Sequence, residues 1–438
     1  MPLTRRRLLQ SSAGVALLAG CGGPVGKPDD SDVPAEPAPT RGPEPAPWQA
    51  PGTLDEVAFG RGLQIGDATA DAALVSVRTT EAALTMVLVR ADGDGWVEIA
   101  RTDVTPQDGG AQVDLADLDA DTAYTVCLYA GDRRCAPSRF RTAPAAGAAR
   151  IVTFGATSCF GGNRPWPSLS FAATEQLDFF VLLGDTVYAD GAATLDEYRA
   201  FWDEALATAG LREVCASTSL VATWDDHEVG NDWDPVEDAA LATVALQAFR
   251  EAIPIGGESL WRSLRWGDTL EIFVLDCRGE RFDGDYISPA QMAWLKAGLA
   301  VSAARFKIIV NSVPITDFTG TALGDYFDDQ RWQGYPAQRA EILDAIEGIP
   351  GVLWLAGDFH FGLLARVDPG TDVWEVLAGP AGSFLNPIVE TLDDTDRFPV
   401  AFGAFNYVRF TADPGTGTIA VAWIGDDGAA IAETVLAI

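Results

Sequence analysis

From Gly147 onward the chain alternates short apolar strand segments with helical ones, and this constrains the fold more than any other feature. Strands are expected at Ile151–Ala156, Phe179–Leu183, Leu220–Trp224, Glu271–Leu275, Lys307–Val310 and Val352–Leu355. Helical segments fall between them at Thr194–Ala209, Ala239–Ala252, Pro289–Ala300 and Pro336–Glu347. Such alternation implies a sheet with helices on its faces, and ligands collect beyond the C-terminal ends of its strands. Phe405–Ile438 return to strands and turns, with no closing helix.

The polar residues sit at those strand ends. The first strand runs into Ser158-Cys159-Phe160-Gly161-Gly162, and the second into Gly184-Asp185-Thr186-Val187-Tyr188-Ala189-Asp190. The third ends in Trp224-Asp225-Asp226-His227-Glu228-Val229-Gly230-Asn231-Asp232, and a later one in Ala356-Gly357-Asp358-Phe359-His360. His227 and His360 are the only 2 histidines in 438 residues, which excludes a three-histidine zinc site. Gathering these carboxylates beside a thiol and two imidazoles is costly, because each desolvated charge costs several kcal/mol unless paired. A metal cluster resolves that cost and is the expected centre.

Ahead of this region, Leu54 to Pro144 reads as short Val-rich strands separated by Gly- and Asp-containing turns at the spacing of a β-sandwich. Cys127 and Cys135 flank a tight turn and should lie nearly opposite each other, so a disulfide is expected if the protein is exported. Cys215 and Cys277 have no evident local partner. Residues 22–52 hold nine prolines and almost no large apolar side chains, which suggests a semi-rigid disordered tether.

Thr4-Arg5-Arg6-Arg7-Leu8-Leu9-Gln10 resembles a twin-arginine export signal, and Leu18-Ala19-Gly20-Cys21 resembles the lipobox at which bacterial lipoproteins are cut and acylated. The apolar run between them is too short to span a bilayer. Residues 1–21 therefore read as a signal peptide, with Cys21 as lipid anchor on a periplasmic or extracellular membrane face. The chain carries 63 acidic against 30 basic side chains, a net charge of −33. Such a surface repels phosphate backbones, so nucleic-acid binding is excluded, and a monomer is expected.

The pieces SCFGG, GDTVYADG, TWDDHEVGND and GDFH, with LDCRGERF and ISPAQMAWLKAGLA between them, resemble the PhoD-like alkaline phosphatase family of metallophosphoesterases. The resemblance runs from residue 54 onward. It implies an α+β/α/β architecture: a fibronectin/Ig-like β-sandwich over 53–145, then a four-layer αββα catalytic domain over 148–438. It also implies iron(III) with calcium as cofactors, and hydrolysis of phosphomonoesters or phosphodiesters by water activated at the metals.

By the same resemblance, Cys159 matches the iron-binding cysteine, Asp185 the carboxylate bridging metals and Tyr188 the phenolate on iron. Asp226 matches a ligand of the second metal, and Asn231 falls near the family's asparagine pair, which here reads Asn231-Asp232. Asp358 and His360 match the closing Gly-Asp-x-His box, with Asp358 on iron. The donor chemistry agrees: thiolate, phenolate and carboxylates favour trivalent iron, and the remaining oxygen donors suit calcium. His227 and His360 are candidates for orienting phosphate or protonating the leaving group, and Arg164 and Arg278 for holding phosphate oxygens. A phospholipase D-type phosphodiesterase, or a non-catalytic lipoprotein keeping the fold, are the alternatives.

Overall fold

The computed structural model describes residues 36–161, 164–282, 284–322 and 330–438. The export signal, the lipobox with Cys21 and the first part of the proline-rich segment lie outside the described residues.

Two large mixed sheets carry the fold. At the centre of the first, Val152–Thr157, Phe179–Leu182 and Ser219–Ala222 run parallel. Asn406–Asp413, Thr418–Gly425 and Ala430–Ala437 extend that sheet antiparallel on one side. The second sheet has the order Arg262–Trp266, Leu270–Val274, Phe306–Val310, Val352–Ala356, Trp374–Leu377, Gly362–Arg366, Val400–Phe402.

Strands buried on both faces explain the near-continuous apolar runs in the sequence. Phe154, Phe179 and Val181 point inward and meet Ile272, Ile308 and Leu353 of the second sheet. The alternate residues Phe180, Leu182 and Leu220 pack outward on Tyr198, Trp202, Leu211 and Phe249, from the helices Leu195–Ala207, Ala209–Ser217 and Ala239–Ala252. On the other side Phe273, Ile309 and Trp354 pack on Leu295, Leu299 and Ile342, from the helices Pro289–Val301 and Pro336–Ile346. The layers are therefore helix, sheet, sheet, helix.

The N-terminal region also forms two facing layers, but it does not close on itself. One layer contains Leu84–Asp92, Gly95–Val104 and Ala123–Ala130, with shorter strands at its side. The other is Gln64–Gly66, Ala73–Arg78 and Gly110–Leu115, which continues the first large sheet through the pairing of Gly66 with Leu220. Ile65, Val75 and Val77 share one core with Val87, Val89 and Val126. A boundary near residue 147 is thus crossed by hydrogen bonds and by the ion pair of Asp67 with Arg262 at 2.7 Å.

Two expectations are corrected. Cys127 and Cys135 are free, buried thiols with Sγ atoms 3.8 Å apart, against about 2.05 Å in a disulfide. The reason is register: the Cys135 amide bonds the Leu128 carbonyl at 3.0 Å, so Leu128, not Cys127, lies directly opposite. Residues 36–52 are not a free tether. The Ala38 amide donates to Asp413 at 2.9 Å, and the Pro39 carbonyl accepts from the Ile151 amide at 2.8 Å. The Ala46 carbonyl accepts from the Trp96 indole at 2.7 Å, and Arg41 pairs with Asp178 at 3.6 Å. Proline fixes an extended backbone with free carbonyls, which suits docking as well as it suits a spacer.

Candidate metal centre

Three strands of the first sheet and one of the second, Val152–Thr157, Phe179–Leu182, Ser219–Ala222 and Val352–Ala356, bring Cys159, Asp185, Asp226 with His227, and Asp358 with His360 to one place. Gly184 and Gly357 allow the approach: a Cβ on Gly184 would lie 2.5 Å from the Asp225 Cβ, and one on Gly357 2.4 Å from the Ser158 Cβ. Past the strand ends the chain turns sharply, with Cys159, Asp185, Asp358 and His360 all in the left-handed region at φ 55°, 54°, 65° and 60°. Non-glycine residues adopt that region seldom, and such conformations cluster at functional sites.

Asp185 stands at the focus. Cys159, Asp185 and His360 each offer a ligand atom within 4.8 Å of the others, and so do Asp185, Asp226 and His227. Asp185 belongs to both groups. The Tyr188 hydroxyl lies 3.2 Å from Asp185 Oδ2 and 3.3 Å from His360 Nε2, while its ring stacks on His227. Asp185, Asp226, His227, Asn231, Asp358 and His360 line one cavity of about 440 Å³.

The surroundings make these anions expensive without a counter-charge. Burial, then the neighbouring Asp226 and Asp225, push the Asp185 carboxyl well above the usual range. Burial and Asp225 do the same to Asp358, and burial and Asp185 to the Cys159 thiol. Burial works against the charged form of His227 but Asp185, Asp226 and Asp190 outweigh it, giving about 9. Burial and the charge on His227 bring His360 down to about 4. Asp185 Oδ1 is buried with no hydrogen-bond partner. A buried acceptor without a donor, among mutually repelling carboxyls, a thiol and imidazoles, fits a bound cation.

Other residues hold the ligands in place. Glu228 is fully buried, and its carboxylate accepts from the amides of Asp185, Thr186 and Asp225 at 3.0, 2.7 and 2.9 Å. It ties two strand ends together. Asp190 accepts from His227 Nδ1 at 2.8 Å and from the Asn231 amide at 2.7 Å, which leaves Nε2 of His227 for the cavity. Asp226 is braced by the amides of His227 and Asp232 at 3.0 and 2.7 Å.

Of the candidate site residues, Arg164 departs from expectation. Arg164 is not at the cavity: it pairs with Asp426 and lies over the Phe405 ring, 3.8 Å from its centroid. Arg278 lines the cavity, but its guanidinium is buried against Asp225 at 2.6 Å and Gln330 at 2.7 Å. It lies 4.0 Å from Asp226 and 3.9 Å from Asp358, so it acts as a resident counter-charge to the carboxylates. Asn231 lies on the cavity wall with its amide on Asp232 at 2.7 Å. Sequence reasoning singled out neither Glu228 nor Asp190 for a role. The run of titratable residues from Asp225 to Glu228 was the available signal for Glu228, and the Asp closing GDTVYADG was that for Asp190.

Face-to-face mixed sheets with thiol, carboxyl, phenol and imidazole groups on one edge define a protein of the metallophosphoesterase type. A family model described as PhoD-like phosphatase matches residues 154–399. The chain belongs to that family. It is 25% identical over 306 residues to alkaline phosphatase D of Bacillus subtilis (strain 168), covering 57% of this chain. The match spans only 52% of that relative's length. A solved structure of PhoD superposes with a TM-score of 0.77 at 21% identity, covering 89% of this chain and 90% of that one. A purple acid phosphatase from yellow lupin (Lupinus luteus) seeds superposes with a TM-score of 0.63 at 14% identity, covering 85% and 73%. Both likenesses concern the fold.

Proposed function

We propose that this chain is a metal-dependent phosphoesterase that hydrolyses phosphomonoesters or phosphodiesters. The observation that carries the reading is Asp185, a buried carboxylate with an orphan oxygen, shared by two converging groups of potential ligands. Cys159, Tyr188, Asp185 and Asp358 would hold iron(III), and Asp226 and Asn231, with Asp185, would hold calcium. When bound, such a cluster supplies Lewis-acid activation of water and positive charge for the phosphoryl oxygens.

The chain's own residues do the remaining work. His227, fixed through Nδ1 by Asp190, presents Nε2 to a phosphate oxygen or to the leaving group. His360 is positioned by the Tyr188 hydroxyl, 3.3 Å from its Nε2. Arg278 offsets part of the carboxylate charge before any cation binds, and the strand-end backbone keeps the donors convergent. The N-terminal pair of layers fits the sandwich that the family carries ahead of its catalytic domain. The Arg5-Arg6 pair and Cys21 support twin-arginine export and lipid anchorage on an extracytoplasmic face.

Purified protein should release product from 4-nitrophenyl phosphate or bis(4-nitrophenyl) phosphate, lose that activity to a chelator and regain it with iron and calcium. Turnover of neither ester, or turnover indifferent to the chelator, contradicts the reading.

A further inference from the structure

The mouth of the cavity has an apolar lip. Phe384 is 68% exposed and its chain neighbour Leu385 38% exposed, and Phe384 is the most exposed large aromatic side chain among the described residues. Phe384 and Ile388 line the cavity with Phe359, and the Phe384 ring stands edge-on to His360 at 4.3 Å. Single exposed apolar residues need no explanation, but an exposed ring on the wall of a polar pocket, followed in the chain by a second exposed apolar side chain, does.

The lip is held, not loose. The amides of Gly382 and Ser383 both donate to the Cys159 carbonyl, at 3.1 and 3.0 Å. On the other side the Asn386 amide donates to the His360 carbonyl at 3.3 Å, and the Asn386 side chain caps Ile388 at 3.1 Å. The short segment that displays Phe384 and Leu385 is therefore tied at both ends to residues of the metal centre. A fixed apolar surface in water is poised to cover an apolar group, because removing its area from water is favourable and its ordering is already done.

We propose that Phe384 and Leu385 are specificity-determining residues, selecting phosphate esters whose organic arm is apolar. The inference rests on the phosphoesterase reading for the phosphoryl end. With the phosphoryl group beside His227 and His360, the ester arm leaves the cavity across the Phe384 ring toward Leu385. Polar arms gain nothing there; alkyl or aryl arms bury surface against the lip.

The test is calorimetric binding of butylphosphonic and octylphosphonic acid, below the micelle concentration, to the full chain as isolated. Half-burial of the added methylenes should make the octyl compound bind roughly tenfold more tightly. Phe384→Ala and Leu385→Ala should each shrink that ratio, and the double variant should bring it near unity. Phe384→Leu, which keeps an apolar surface, should largely preserve it. Equal affinity for the two acids in the wild type overturns the proposal, as does a ratio unchanged in the double variant. Adsorption to neutral lipid vesicles without any chain-length ratio for the monomeric acids also overturns it, pointing to a membrane-facing patch instead. Hydrolysis of butyl and octyl phosphate is measured in parallel. Turnover of neither, with the binding ratio intact, counts against the phosphoesterase reading and leaves the lip's selectivity standing.

Discussion

The hydroxyl of Tyr188 lies 3.3 Å from Nε2 of His360, while the same ring stacks on His227 with centroids 4.0 Å apart. One side chain thus touches both histidines of the protein and the shared carboxylate Asp185. It links donors delivered by three different strand ends.

That linkage predicts colour. Phenolate and thiolate on ferric iron absorb in the visible, so iron-loaded protein should be tinted. Tyr188→Phe keeps the ring and deletes only the oxygen, and Cys159→Ala removes the thiol. Each should shift or bleach the band, and Cys159→Ala should also lower bound iron measured by plasma emission. Activity should fall on the order of 10²-fold in either, the scale of one lost transition-state contact. An unchanged spectrum in both variants would remove these residues from the iron.

Arg278→Met should be strongly destabilising. Its guanidinium bonds Asp225 at 2.6 Å, and both groups are buried. Removing one partner of a buried pair leaves an uncompensated charge and costs about 3–5 kcal/mol. Urea unfolding of the metal-free protein should show that loss as a lower midpoint. A midpoint within error of wild type would mean that Asp225 finds another partner.

Much of the centre was legible in the sequence because strand-end geometry is local. A run of apolar residues followed by Gly-Asp or Asp-Asp-His announces both the strand and the donors. What needed the third dimension was partnership. Arg164 looked like a phosphate ligand because it follows SCFGG, yet its carboxylate partner, Asp426, lies on the loop between the last two strands. Glu228 sits in a run of four titratable residues, and only folding shows that it turns inward to bind three amides. The expected helix Thr194–Ala209 is instead two, because Thr208 adopts an extended conformation and a second helix starts at Ala209. The continuity of the first sheet into the N-terminal region rests on the pairing of Gly66 with Leu220, residues far apart in sequence. Nothing in local pattern encodes that.

The docked segment 36–52 gives a third prediction. Deleting residues up to Gly52 removes the Ala38–Asp413 and Ile151–Pro39 hydrogen bonds and the Arg41–Asp178 pair. At about 0.5–1.5 kcal/mol per hydrogen bond, the loss should be on the order of 2–3 kcal/mol. Thermal melting of the truncated protein should drop by several degrees. A pure spacer would leave the melting temperature unchanged.

Export and anchorage are tested in the cell. Arg5→Lys with Arg6→Lys should trap the protein in the cytoplasm, and Cys21→Ser should move it from the membrane to the soluble exported fraction. Normal export of the double-Lys variant contradicts the twin-arginine reading, and undiminished membrane attachment of Cys21→Ser contradicts the lipid anchor.

Asp185 would offer its carboxylate to both groups of metal donors, and phosphoester hydrolysis would depend on the metal they hold. The most direct test is Asp185→Asn, which keeps size and shape but removes the charge shared by both ligand groups. Metal content and phosphate release should be measured on the same folded preparation, with circular dichroism matching wild type. Wild type should hold stoichiometric metal and turn over, while Asp185→Asn should lose bound metal and at least about 10²-fold in kcat/KM. An Asp185→Asn protein with wild-type metal content and wild-type turnover would contradict it.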